Sequence, residues 1–244
     1  DLSTADGLRA AGKGLAIEPI QLDVTDPEQR EQAVAFVLER EGRIDALINN
    51  AGVALGGFQE QIEDDELRKV FEVNVFGLWA LTKCVLPTMR KQKSGIVVNV
   101  SSMAGRMAMP CMGIYAASKF AMEGLSDTLR IEMRGTGIDI ILIEPGPVTS
   151  DIRVNSIPHF ERWIDWKNSV RRSEYEGGLL DRLYTSKGPD TFELPASAVT
   201  AKLRHACEAK RPKPRYFVTK PTYIMSFFKR ILSTRALDWL VSKA

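Results

Sequence analysis

Short apolar runs rich in β-branched residues recur along the chain at wide intervals, at residues 17–23, 44–50, 96–101, 138–144 and 216–219. Each is a candidate buried strand. Between the first four lie amphipathic stretches of helical length, at residues 27–41, 65–91 and 115–134. This alternation predicts βαβ units with right-handed crossovers, hence an α/β fold whose parallel sheet is covered by helices on both faces. Single residues mark the boundaries: Asp26 before Pro27 reads as an N-cap with proline at the first helical position, and Gly135 and Gly137 end the third helix.

Beyond Pro145 the periodicity loosens. Residues 150–195 mix polar positions with Phe160, Trp163, Trp166, Tyr175 and Tyr184. An aromatic-rich segment beside strand C-terminal ends is expected to form a substrate lid, or else a surface excursion with a small core of its own. Residues 221–244 then place Tyr223, Ile224, Phe227, Ile231 and Trp239 among Lys229, Arg230 and Arg235. That is a basic amphipathic helix, suited to packing on the protein, covering a substrate mouth or touching a membrane surface.

Composition narrows this picture. A chain of 244 residues, 44% hydrophobic and 26% charged, fits one soluble domain spanning residues 1–244. Thirty-three basic against 31 acidic residues leave a net charge of +2, too small a field for nucleic-acid binding. Cys84, Cys111 and Cys207 build neither a disulfide framework nor a zinc pattern, which points to a reducing, cytoplasmic setting. His159 and His205 have no ligand spacing, so no metal is expected. No apolar run reaches the ~18 to 20 residues of a membrane span.

The chemistry lies in Tyr115-Ala-Ala-Ser-Lys119, thirteen positions after Ser102. A tyrosine and a lysine four apart on a helix share one face. An ammonium ~4 Å from a phenol is expected to lower its pKa from ~10 towards neutrality, which makes the tyrosine a usable acid/base. Ser102, beyond the end of a strand, can hydrogen-bond the same substrate oxygen.

With these residues in place, the chain resembles the short-chain dehydrogenase/reductase family. Asn49-Asn-Ala-Gly52, Asn74 in Phe71-Glu-Val-Asn-Val-Phe-Gly77 and Pro145-Gly-Pro-Val-Thr149 match its further motifs in order, and the likeness runs from about Gln21 to Thr149. It implies a Rossmann-like, doubly wound sheet and hydride transfer between NAD(P)(H) and an alcohol or ketone. Ser102, Tyr115, Lys119 and Asn74 would be catalytic, the backbone of Asn74 holding a relay water. Asp23, Asn50, Ala51, Gly52, Tyr115, Lys119, Val148 and Thr149 would contact the cofactor, NADP being preferred to NAD. The lid and basic tail imply a hydrophobic substrate of the steroid, retinoid or lipid type, a homodimer or homotetramer, and peripheral membrane contact through the C-terminal helix.

One departure stands out. The family opens on a strand and a glycine-rich turn that brings the cofactor's pyrophosphate to a helix N-terminus. Here Gly12 and Gly14 read only as a turn, so the first βαβ unit is incomplete. Such a unit takes about 30 residues, and about that many are expected ahead of Asp1 in the full protein. The rival expectation is a catalytically silent relative that keeps the fold as a binding or scaffolding module.

Overall fold

The structure, a computed structural model, describes residues 15–185 and 191–242. Gly12 and Gly14, and with them the expected turn, lie outside the described residues.

Helix α1, Pro27–Glu41, begins as its sequence dictates: the Asp26 carboxylate accepts from the Glu28 and Gln29 amides, and Gly42 closes it at φ 69°. Strand β1, Ala46–Asn49, follows. Helix α2, Asp64–Phe71, runs through a π-helical turn, Glu72–Gly77, into α3, Leu78–Gln92, so the expected single helix carries a wider turn at Asn74. Then come β2, Gly95–Val100, α4, Gly113–Glu132, and β3, Ile138–Glu144. Both Gly135 and Gly137 adopt φ 79°, the left-handed conformation that ends α4 and turns the chain into β3.

Four strands form one parallel sheet in the order β1-β2-β3-β4, where β4 is Arg215–Phe217. Val97 and Ile140 pack with Val85, Met89 and Leu129 under α3 and α4. Their neighbours Val98 and Ile141 face the other way, onto Ala206 of α8, Ser197–Glu208. Two apolar faces on one sheet explain why the strands read as continuous hydrophobic runs.

Residues 17–23 are a correction. They form no strand, and Ile17 and Ile20 are exposed, because no described strand lies alongside to take up their backbone hydrogen bonds. The segment after them instead crosses the π-helical turn, where the Gly77 α-carbon comes against the Val24 carbonyl. Taken together, Asp64–Gln92 is long and apolar enough to cross a membrane, although no single apolar run announced it. Its apolarity is used against the sheet, where Leu81, Val85 and Met89 are buried.

Residues 150–195 carry α5, Ile152–Trp163, α6, Arg172–Glu174, and α7, Leu180–Tyr184. They gather Phe160, Ile164 and Tyr175 with Leu55, Val70 and Ile114 into a core separate from the sheet. The Tyr175 hydroxyl donates to Gln61 Oε1 at 2.7 Å and accepts from the Phe58 amide at 3.2 Å, tying the segment to the loop after β1. The C-terminal stretch forms two helices, α9, Lys220–Ile231, and α10, Thr234–Val241, divided at Leu232 and Ser233. Helix α9 buries Thr222 and Ser226 and exposes Tyr223, Ile224, Phe227 and Ile231.

Candidate active site

The C-terminal ends of β1, β2 and β3 point into one region, as parallel order requires. At the end of β2 the Ser101 amide donates to the Ile143 carbonyl and the Met103 amide to the Pro145 carbonyl, each at 2.7 Å. This pins Ser102 between two strand ends. Its hydroxyl accepts from the Ala104 amide at 3.1 Å, capping the short 3-10 turn Met103–Gly105.

Helix α4 supplies the other two groups. Tyr115 and Lys119 are both buried, and the Ser102 side chain lies near enough to the Tyr115 phenol to lower its pKa. The Lys119 ammonium lies 5.7 Å from the Tyr115 ring centroid and donates to the Val100 carbonyl at 2.9 Å. Serine, tyrosine and lysine, separated along the chain, therefore converge.

The electrostatics differ from the expectation in one respect. Burial pushes the Tyr115 phenol above its ordinary value, and the nearby Ser102 hydroxyl offsets this only in part. Burial also pulls Lys119 down to about 8, against the opposing pull of the Glu123 carboxylate. The lysine does not bring the phenol towards neutrality here, because its ammonium is directed at Val100 and desolvation disfavours both charged forms. A phenol held protonated is ready to donate.

Asn74, fully buried in the π-helical turn, clamps the loop after β1. The Val53 amide donates to its Oδ1 and its Nδ2 donates to the Val53 carbonyl, both at 2.9 Å. Nδ2 also donates to Ser118 Oγ at 3.0 Å, and that hydroxyl donates to the Tyr115 carbonyl at 2.7 Å. A second polar chain, not foreseen from sequence, runs beneath. Asn49 Nδ2 donates to Thr82 Oγ1 at 3.0 Å and to Asn99 Oδ1 at 2.8 Å, and Asn99 Nδ2 donates to Ser126 Oγ at 2.8 Å. Asparagines at matching positions of neighbouring strands were its one signal.

Asn50, Ala51 and Gly52 form an exposed turn above β1. A β-carbon at Gly52 would stand 3.4 Å from Asn74 Oδ1 and 3.7 Å from Lys119 Nζ. A larger side chain there would crowd both groups, so glycine keeps the space beside the buried ammonium clear. That arrangement fits a nicotinamide cofactor, with Asn50, Ala51, Gly52 and Lys119 to hold it. Val148 and Thr149 lie beyond β3, but the Thr149 hydroxyl donates to Glu193 at 2.6 Å and its amide to the Leu194 carbonyl at 3.0 Å. Asp23 sits in an exposed turn, its Oδ1 accepting from the Thr25 amide and hydroxyl at 2.8 Å, which lowers its pKa. Among the described residues, no cluster of histidine, cysteine and acidic side chains could hold a metal ion.

A parallel sheet with these groups at its C-terminal edge defines a dinucleotide-dependent α/β oxidoreductase. The short chain dehydrogenase sequence family matches residues 3–159, and the chain belongs to that family. It is 34% identical over 233 residues to the NADPH-dependent 3-dehydrocapnine reductase of Ornithobacterium rhinotracheale, covering 91% of this chain and 78% of that protein. It is 40% identical over 130 residues to the 3-ketodihydrosphingosine reductase of Bacteroides thetaiotaomicron, covering 53% of this chain and 48% of that protein. A solved short chain dehydrogenase/reductase from Burkholderia phymatum in complex with NAD superposes with a TM-score of 0.74 at 29% identity, over 94% of this chain and 79% of that one. The chain is an NAD(P)-dependent oxidoreductase of this family.

Proposed function

We propose that the protein reduces a hydrophobic ketone, or oxidises the matching alcohol, with Tyr115 as the proton-transferring group. The observation that carries this reading is the convergence of Ser102 and Tyr115 beside the Lys119 ammonium. A bound nicotinamide cofactor supplies or accepts the hydride. Tyr115 gives its phenolic proton to the substrate oxygen, and Ser102 orients that oxygen by hydrogen bonding. Lys119 reaches the cofactor over Gly52. Asn74 keeps the loop after Gly52 in register with α4 through Val53 and Ser118.

The substrate is of the steroid, retinoid or lipid type. Ala54, Met109 and Met112 pack around Tyr115, so the approach to the phenol is apolar. Residues 150–195 act as the substrate lid, closing over the loop after β1 through Tyr175. Two relatives bear names with keto and dehydro substrates, 3-ketodihydrosphingosine and 3-dehydrocapnine, which makes a lipid-like ketone the first compound to try. NADP is the preferred cofactor, as in the NADPH-dependent relative. The protein works as a cytoplasmic homodimer or homotetramer, with the exposed apolar side of α9 available for peripheral membrane contact.

The test is a fluorescence titration of the full-length protein with NADPH and NADH, followed by a panel of hydrophobic carbonyl compounds assayed by cofactor absorbance. Binding of neither cofactor would reject the enzymatic reading in favour of a scaffold.

A further inference from the structure

Lys119 is the ammonium beside Tyr115, and the structure places a carboxylate one helical turn beyond it. Glu123 shares its face of α4. Both pack against Gly105, where a β-carbon would stand 3.2 Å from Lys119 Cβ and 3.1 Å from Glu123 Cγ. Glu123 is buried, and its two oxygens differ. Oε2 is held by the Arg215 guanidinium of β4, whereas Oε1 has no hydrogen-bond partner among the described residues.

The same arginine is fixed by two further carboxylates. It donates to Glu144 Oε1 of β3 at 2.6 Å and to Asp127 Oδ2 of α4 at 2.6 Å. Glu144 is fully buried, and its other oxygen lies 3.5 Å from Arg106 Nε. Lys229 of α9 donates to the Arg106 carbonyl from the outer edge. The groups facing Lys119 and Glu123 are therefore Tyr115 and Asp127 on α4, Arg106 after the 3-10 turn, Glu144 on β3, Arg215 on β4 and Lys229 on α9.

A desolvated carboxylate oxygen without a donor is costly unless a nearby positive charge offsets it. Arg215 is already divided among three carboxylates. Lys119 is the cation whose charge the site needs, and it lies one turn away. We propose that Glu123 is a positioning residue for Lys119: anchored by Arg215, its carboxylate keeps the buried lysine charged at working pH without touching it. The direction of the lysine's displacement, lowered by burial and raised by Glu123, agrees. This inference rests on the acid/base reading of Tyr115 and Lys119.

Glu123→Gln keeps the shape and an oxygen for Arg215 but removes the charge. Two measurements read the result in the full-length enzyme. One is the alkaline limb of the kcat/KM pH profile. The other, independent of turnover, is the pH midpoint for reductive methylation of Lys119, followed by mass spectrometry of its peptide. Both should move to lower pH by about one unit in Glu123→Gln, and Glu123→Asp should restore part of the shift. Arg215→Lys should keep the wild-type midpoint. Asp127→Asn, on the exposed side of the same arginine, should move it less than Glu123→Gln. Unchanged midpoints in Glu123→Gln, or an equal shift in Asp127→Asn, overturn the proposal. A shifted methylation midpoint in a protein that turns over no substrate leaves the coupling standing and removes the acid/base reading instead.

Discussion

Asn74 grips Val53 by both ends of its amide, accepting from the backbone N–H and donating to the backbone carbonyl at 2.9 Å each. A side chain that reads a backbone in this way imitates a strand pairing in a place where no strand runs. Its third bond, to Ser118, brings α4 into the same arrangement, so the loop carrying Gly52 and the helix carrying Tyr115 are set by one residue. The π-helical turn gives Asn74 its inward aim, in keeping with the occurrence of such turns at functional sites.

Asn74→Ala should cost about 2–4 kcal/mol of stability, because it leaves the amide and carbonyl of Val53 without partners. Urea denaturation measures this. A loss under about 0.5 kcal/mol would show that the clamp is not a structural requirement.

Tyr115→Phe should lower kcat at least about a thousandfold while leaving the cofactor Kd within about threefold, since only the proton donor is lost. Retained turnover rejects the acid/base assignment.

Glu144 should make stability depend on pH. Its burial, reinforced by the Glu123 charge, raises its pKa from 4.5 to about 7 despite Arg215. A carboxyl group raised on folding favours the protonated native state, so its contribution is fully present below about pH 4.5 and is lost as pH rises through about 7. Thermal unfolding of wild type and Glu144→Gln at several pH values should show wild type losing ground to the variant between about pH 5 and pH 8. A constant difference across that window would contradict the assignment.

Gly77→Ala should destabilise, although the same change inside a helix ordinarily adds about 0.5–1 kcal/mol. The new β-carbon would stand 2.6 Å from the Val24 carbonyl oxygen, so the segment carrying Asp23 must move. Thermal unfolding that shows a higher Tm would mean this crossing is loose.

Tyr175→Phe removes the hydroxyl that joins residues 150–195 to Gln61 and Phe58 while keeping the ring against Phe160. We expect about 1 kcal/mol of lost stability and faster proteolysis within residues 150–185. A KM raised several-fold for bulky substrates with kcat unchanged would mark the segment as part of the binding wall, and an unchanged KM would remove it from that role.

Much of the architecture was readable residue by residue. Asp26 and Pro27 start α1 where their capping chemistry requires, and Ile138–Glu144 is a strand because it is apolar on both sides. Residues 17–23 carry Ile17, Ile20 and Leu22 yet are not a strand, since a strand also needs a neighbour that no local pattern supplies. Similarly, the period of residues 65–91 is helical throughout, yet it does not announce the π-helical turn that aims Asn74 inwards.

Within the site, the Tyr115–Lys119 pair was legible because four residues on a helix fix which side chains share a face. The meeting of Ser102 with Tyr115 depends on where β2 ends relative to α4, and the two asparagine networks depend on strand order. The carboxylates gathered on Arg215 lie 71 to 92 positions away from it. By itself, then, the sequence determined the helices, the buried strands and the spacing of the reactive pair, all governed by steric and capping effects within a turn or two. Only the tertiary structure decided which distant polar groups share a buried site, because those contacts follow from sheet order and packing, and their strength follows from the desolvation that packing imposes.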